Sequence, residues 1–127
     1  MTIKNRIDPP SRLPLEELLN TLPGGFNAIK DIEERRNVFN SLSRMRTAEL
    51  PPIKNIVIED RNIAGPDGLL ELVVRIYKPA DISGSLPGIF FIHGGGMIMG
   101  SIETDNLKAA MLCETIQSIV VSVEYRL

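Results

Sequence analysis

Two apolar runs limit the fold of this chain more than any other feature: IFFI at Ile89–Ile92 and SIVVSVEY at Ser118–Tyr125. A continuous apolar run of strand length is typical of a strand buried on both faces, the setting of a parallel sheet covered by helices. Between the two runs lie three consecutive glycines and then a helical pattern from Glu103 to about Ile116, with Glu103 and Asp105 in its first turn, where acids suit the macrodipole. A strand, a crossover helix and a second strand give a parallel pair. Upstream, IKNIVIEDRNI (Ile53–Ile63) and LLELVVRIYKP (Leu69–Pro79) are β-rich and joined by the turn residues AGPDG (Ala64–Gly68). That link is too short for a crossover, so the two form an antiparallel hairpin. The second half therefore reads hairpin, strand, helix, strand, which is an α/β arrangement.

The first half reads differently. Residues 1–10 are polar, end in Pro9-Pro10, and read as a loose arm. Ser11 could cap a short helix through Asn20, with Pro14 tolerated in its first turn. LPGG at Leu22–Gly25 interrupts the chain, and a longer helix is expected from Asn27 to Leu50, closed by Pro51-Pro52. Arg35, Arg36, Arg44 and Arg46 interleave with Glu33, Glu34 and Glu49 and read as a solvated helix face.

Composition excludes several classes. With 43% apolar and 24% charged residues over 127, a packed core is expected. A formal charge of −2 lacks the basic face that nucleic acid demands. No segment approaches membrane-spanning length and no leader is evident at the N-terminus, so a cytoplasmic protein is expected. Cys113 is the only cysteine, so no internal disulfide can form, and it reads as a small core residue.

The stretch HGGGMIMG, His93–Gly100, carries the chemistry. A P-loop would need Lys where Ser101 stands, and a dinucleotide fingerprint would need glycine where Met99 stands. No cofactor and no metal are expected. An oxyanion hole fits better: two backbone N–H groups can hold a negative oxygen, and glycines remove the side chains that would bar its approach. A tight strand-to-helix turn without a ligand is the alternative reading of the bare glycines.

HGGGMIMGSIETDN, followed after one helix by IVVSVEYRL, resembles the hormone-sensitive-lipase family of α/β-hydrolases, the bacterial family IV carboxylesterases. VIEDRNIAGPDGLLELVVRIYKP resembles the family's first two strands, and residues 11–50 its N-terminal cap helices. The resemblance implies the N-terminal part of an α/β-hydrolase fold, with cap helices over residues 1–50 and the first half of the core over 51–127. It further implies strand order Ile53–Ile63, Leu69–Pro79, Ser118–Tyr125, Ile89–Ile92. By position, Gly95 and Gly96 would supply oxyanion N–H groups, Gly94 would shape the turn, and His93 would support the loop without acting as the base. Met97 stands where the family has an aromatic residue, and Glu124 where it has aspartate. The family's G-x-S-x-G nucleophile elbow does not occur in the 127 residues, nor do the acid and base that follow it. The implied parent is a serine carboxylesterase acting on short-chain esters, with the C-terminal half of the hydrolase as the partner of this stretch. A non-catalytic small-molecule-binding member of the same fold is the alternative. The chain alone is expected to aggregate, to pair edge to edge with a second copy, or to fold only with the missing C-terminal half.

Overall fold

In a computed structural model, residues 6–65, 68 and 71–127 are described, and the chain divides into two compact units within its second helix, between Arg35 and Arg36. In the first unit, α1 covers Pro9–Thr21. The two prolines occupy its first positions, where a missing N–H costs nothing and φ is already helical. This corrects the expectation that Pro9-Pro10 close an arm and that Ser11 caps the helix: Ser11 lies inside the first turn, and its N–H donates to Asp8 C=O. A 3₁₀ turn at Phe26–Ala28 follows, and α2 covers Ile32–Ala48. The expected start at Asn27 is too early because Asp31 interrupts it. Its Oδ1 accepts the Glu34 N–H at 2.7 Å, an N-cap bond that fixes where the helix begins.

The second unit holds a mixed sheet of β1 (Ile56–Ala64), β2 (Glu71–Pro79), β3 (Gly88–Ile92) and β4 (Ile119–Val123). One helix, α3 (Asn106–Ile116), crosses between β3 and β4. The sheet order is β1-β2-β4-β3, as the resemblance implied. β1–β2 and β2–β4 are antiparallel, and β3–β4 is parallel. The hairpin is present, but Pro66, Asp67, Leu69 and Leu70 lie outside the described residues.

The register places Tyr77 beside Val120, and Val120 beside Ile89, on one face of the sheet. There α3 lays Ala109, Ala110 and Cys113 against Tyr77 and Val120, with Ile56, Ile89 and Phe91 around them. Two alanines and a cysteine let the helix approach closely. Cys113 is fully buried, as its apolar setting suggested, and burial pushes its thiol pKa up.

β3 departs from expectation. Ile89 and Phe91 face α3, but Phe90 and Ile92 are 65% and 62% exposed. The strand is thus covered on one face rather than two, because α3 packs on a single side of the sheet. No helix among the described residues is long and apolar enough to cross a membrane.

Candidate functional site

The loop that leaves β3 at His93 and enters α3 at Asn106 depends on its glycines. Gly95 has φ +131°, and a Cβ there would stand 1.9 Å from the Met99 carbonyl oxygen. Gly100 has φ +91°, and its Cβ would meet Gly94 O at 2.1 Å and His93 Nδ1 at 2.7 Å. The loop therefore closes on itself only if both positions lack a side chain.

Three successive peptide planes are then pinned by hydrogen bonds. In a trans peptide, C=O and N–H point in opposite directions, so fixing one end aims the other. Across His93–Gly94, the carbonyl accepts the Tyr125 hydroxyl at 2.9 Å and the N–H donates to Asp105 Oδ2 at 3.1 Å. Across Gly94–Gly95, the carbonyl lies 3.0 Å from His93 Nδ1. A carbonyl oxygen can only accept, so Nδ1 carries the hydrogen in this contact. Across Gly95–Gly96, the carbonyl accepts N–H groups from Ile98 at 3.2 Å and Met99 at 3.0 Å. Among the described residues, the N–H groups of Gly95 and Gly96 donate to no protein acceptor. Gly95 is half-buried, and Gly96, Met97 and Ile98 are exposed, so these donors lie on an open turn.

The shell behind the loop is polar and packed. His93 is 2% exposed, and its ring stacks on Tyr125 at a centroid distance of 4.1 Å. Among the described residues its Nε2 has no hydrogen-bond partner: Glu124 Oε1 stands 3.8 Å away, too far for one, while Glu124 Oε2 accepts the Ile102 N–H at 2.9 Å. Arg36 Nε, from α2, donates to Ile98 C=O at 2.8 Å. Arg36 is thus not only part of a solvated face; it holds the far side of the turn.

His93, Gly94, Gly95 and Gly96 are brought together as one loop. The residues that hold it were harder to foresee. Asp105 and Glu103 were expected in the first turn of a helix, but α3 begins at Asn106, and both carboxylates are engaged elsewhere. Glu103 accepts from Arg75 Nη1 at 2.6 Å, and Arg75 also forks onto Asp60 at 2.7 and 2.9 Å. Tyr125 and Gly100 lie within the stretches that carry the resemblance, but nothing in the sequence assigned either of them a part in holding the loop. Among the described residues no group of three or more His, Cys, Asp or Glu side chains is placed to hold a metal ion.

Comparison with known proteins gives a consistent picture. A family profile for the alpha/beta hydrolase fold matches residues 89–127. The carboxylesterase NlhH of Mycobacterium tuberculosis is 36% identical over 115 residues, which is 89% of this chain and 34% of that protein. The versiconal hemiacetal acetate esterase of Dothistroma septosporum is 32% identical over 75% of this chain and 27% of its own length. Among solved structures, a hyperthermophilic esterase from the archaeon Pyrobaculum calidifontis superposes with a TM-score of 0.78 at 32% identity, over 95% of this chain and 37% of its own. A bacterial heroin esterase superposes at 0.81 and 27% identity, over 99% and 38%. The chain spans about a third of the length of the curated relatives it matches.

Proposed function

Because the chain belongs to the hormone-sensitive-lipase family of α/β-hydrolases and carries the N-terminal portion of their fold, we propose that residues 93–100 are the oxyanion loop of a serine carboxylesterase acting on short-chain esters. The observation that carries this reading is the state of two donors. The carbonyls of Gly94 and Gly95 are tied back by His93 and by the Ile98 and Met99 amides, while the N–H groups at the opposite ends of those peptides remain unspent. Donors fixed before substrate arrives need no reorganisation when charge develops on the ester oxygen, and this is where such sites gain most of their rate. In the reaction, a serine hydroxyl attacks the ester carbonyl, the tetrahedral oxygen takes the two N–H bonds, the alcohol leaves, and water releases the acid. His93 supports the loop and is not the base. Residues 1–50 contribute helices of a substrate cap, the C-terminal remainder of the hydrolase supplies serine, acid and base, and the protein works in the cytoplasm.

This assigns the loop, not the nucleophile, to the 127 residues, which contain no G-x-S-x-G elbow. The chain alone is therefore expected to give no ester hydrolysis above background. The assay is hydrolysis of a short-chain aryl ester by the purified chain, with and without a serine-directed phosphonate. Turnover that the phosphonate abolishes would overturn this division of labour. In the longest natural chain that contains these residues, phosphonate-sensitive turnover is expected. Ligand binding without turnover there would favour a non-catalytic member of the fold instead.

A further inference from the structure

Asp105 stands at the N-cap position of α3 and makes no capping hydrogen bond. An aspartate there normally accepts an N–H from the helix's first turn. This one spends both oxygens elsewhere: Oδ2 accepts from Gly94 N–H at 3.1 Å, and Oδ1 from Lys108 Nζ at 2.6 Å. The residue is 9% exposed. A carboxylate withdrawn from its helix and turned onto a glycine backbone breaks a local rule, and such breaks concentrate where function overrides helix stability.

We propose that Asp105 is a positioning residue of the glycine loop, one that removes the Gly94 N–H from the donor set and leaves those of Gly95 and Gly96 for an anion. The inference rests on the oxyanion reading above. Three consecutive glycine N–H groups could compete for one oxygen in several geometries. With Gly94 N–H tied to Asp105 and the His93 carbonyl tied to Tyr125, the first peptide plane is held at both ends, and the two planes beyond it start from a fixed direction. The carboxylate itself would repel an incoming oxyanion. Lys108, one turn into α3, pairs with it and offsets that charge.

Two substitutions separate the loop role from the helix role. Asp105→Asn keeps an oxygen for Gly94 N–H. Asp105→Ser offers α3 a good cap, but its hydroxyl is one bond too short for Gly94. Gly94 amide exchange, read by NMR on the chain, is expected to stay slow in Asp105→Asn and to quicken at least roughly 10-fold in Asp105→Ser, without a fall in thermal midpoint. In the longest natural chain containing these residues, Asp105→Ser should lower kcat about 10- to 100-fold at nearly constant KM, short of the roughly 10²–10³ that a lost donor costs. Unchanged Gly94 exchange in Asp105→Ser would overturn the tether. Faster exchange with unchanged kcat, in a protein that Gly95→Val inactivates, would overturn the positioning role and leave the esterase reading standing. If no form of the protein cleaves esters, the esterase reading and the positioning role fall together, and Gly94 exchange decides the tether alone.

Discussion

Gly95 and Gly96 are adjacent and both have positive φ, yet they differ in what a side chain would meet. At Gly95 even a methyl group would lie 1.9 Å from a backbone oxygen that cannot move independently, whereas nothing lies within 4 Å of a Cβ at Gly96. Gly96→Ala therefore faces only the left-handed backbone cost, about 1–2 kcal/mol. Gly95→Val must displace the Met99 peptide, and with it the bonds that fix the Gly95 carbonyl. In an active form of the protein, Gly95→Val should cost at least the roughly 10²–10³ in kcat of one lost oxyanion donor, with the fold largely retained. Gly96→Ala should cost markedly less in kcat. Steady-state kinetics beside circular dichroism check the pair; equal kcat in Gly95→Val and wild type would leave Gly95 as a turn residue.

At the scale of elements, α3 is closed by Gln117 at its C-cap, which adopts φ 56° and ψ 49° although it carries a side chain. Glycine is the residue that takes this left-handed terminus without penalty. Gln117→Gly should raise stability by about 1 kcal/mol, seen as a higher thermal or urea midpoint. A fall would show that the Gln117 side-chain bond to Glu114 C=O outweighs the backbone strain. The Arg75 fork joins β1, β2 and the turn before α3, and its guanidinium holds the Asp60 carboxyl below its ordinary pKa. A depressed carboxylate stabilises the fold above its unfolded value, near pH 4, and loses that contribution as pH falls through the folded value. The stability gap between wild type and Asp60→Asn should thus be full near neutrality and close in acid, as urea titrations at stepped pH would show. Tyr77 gives the alkaline counterpart: burial pushes its hydroxyl up to about 12. Stability tied to the neutral phenol is full below its unfolded value, near 10, and is lost as pH rises from there to the folded one.

These elements also show what the sequence could carry. The apolar runs at Ile89–Ile92 and Val120–Val123 identify strands by their length and β-branched or aromatic residues, although the described sheet buries only alternate side chains of the first, and the glycine run identifies the loop because few structures need three. Helix starts were less legible, since a start is decided by where one side chain spends its oxygens. Asp31 caps α2 and so sets its first residue. Asp105 looks equally suited to cap α3 but binds Gly94, across the loop. The same residue type, nine positions after the glycine run Gly94–Gly96, carries no mark of which it will do. The support from Tyr125 and Glu124 is similarly non-local, reaching His93 and Ile102 across more than twenty residues.

At the scale of the sheet, β3 is an edge strand whose sequence, GIFFI, has no charge to discourage pairing with a neighbour. On the face away from α3 it exposes Phe90 and Ile92 together. Full burial of a phenylalanine or isoleucine is worth about 1.5–3 kcal/mol. Each of these side chains is already about a third buried, so two copies meeting over the four of them would gain roughly 4–8 kcal/mol, against an association cost of about 4–15 kcal/mol. The two ranges overlap, so the chain alone should self-associate weakly and reversibly at micromolar to millimolar concentration rather than form a tight dimer. Phe90→Lys removes the larger side chain and sets a charge on the edge, and it should shift the equilibrium to monomer without disturbing Ile89 and Phe91, which face α3. Sedimentation velocity over a concentration series measures this, with a hydrophobic dye reporting the bare face. A strictly monomeric wild type that binds no dye would mean that Phe90 and Ile92 are covered in solution, and the one-sided sheet described above would have to be revised.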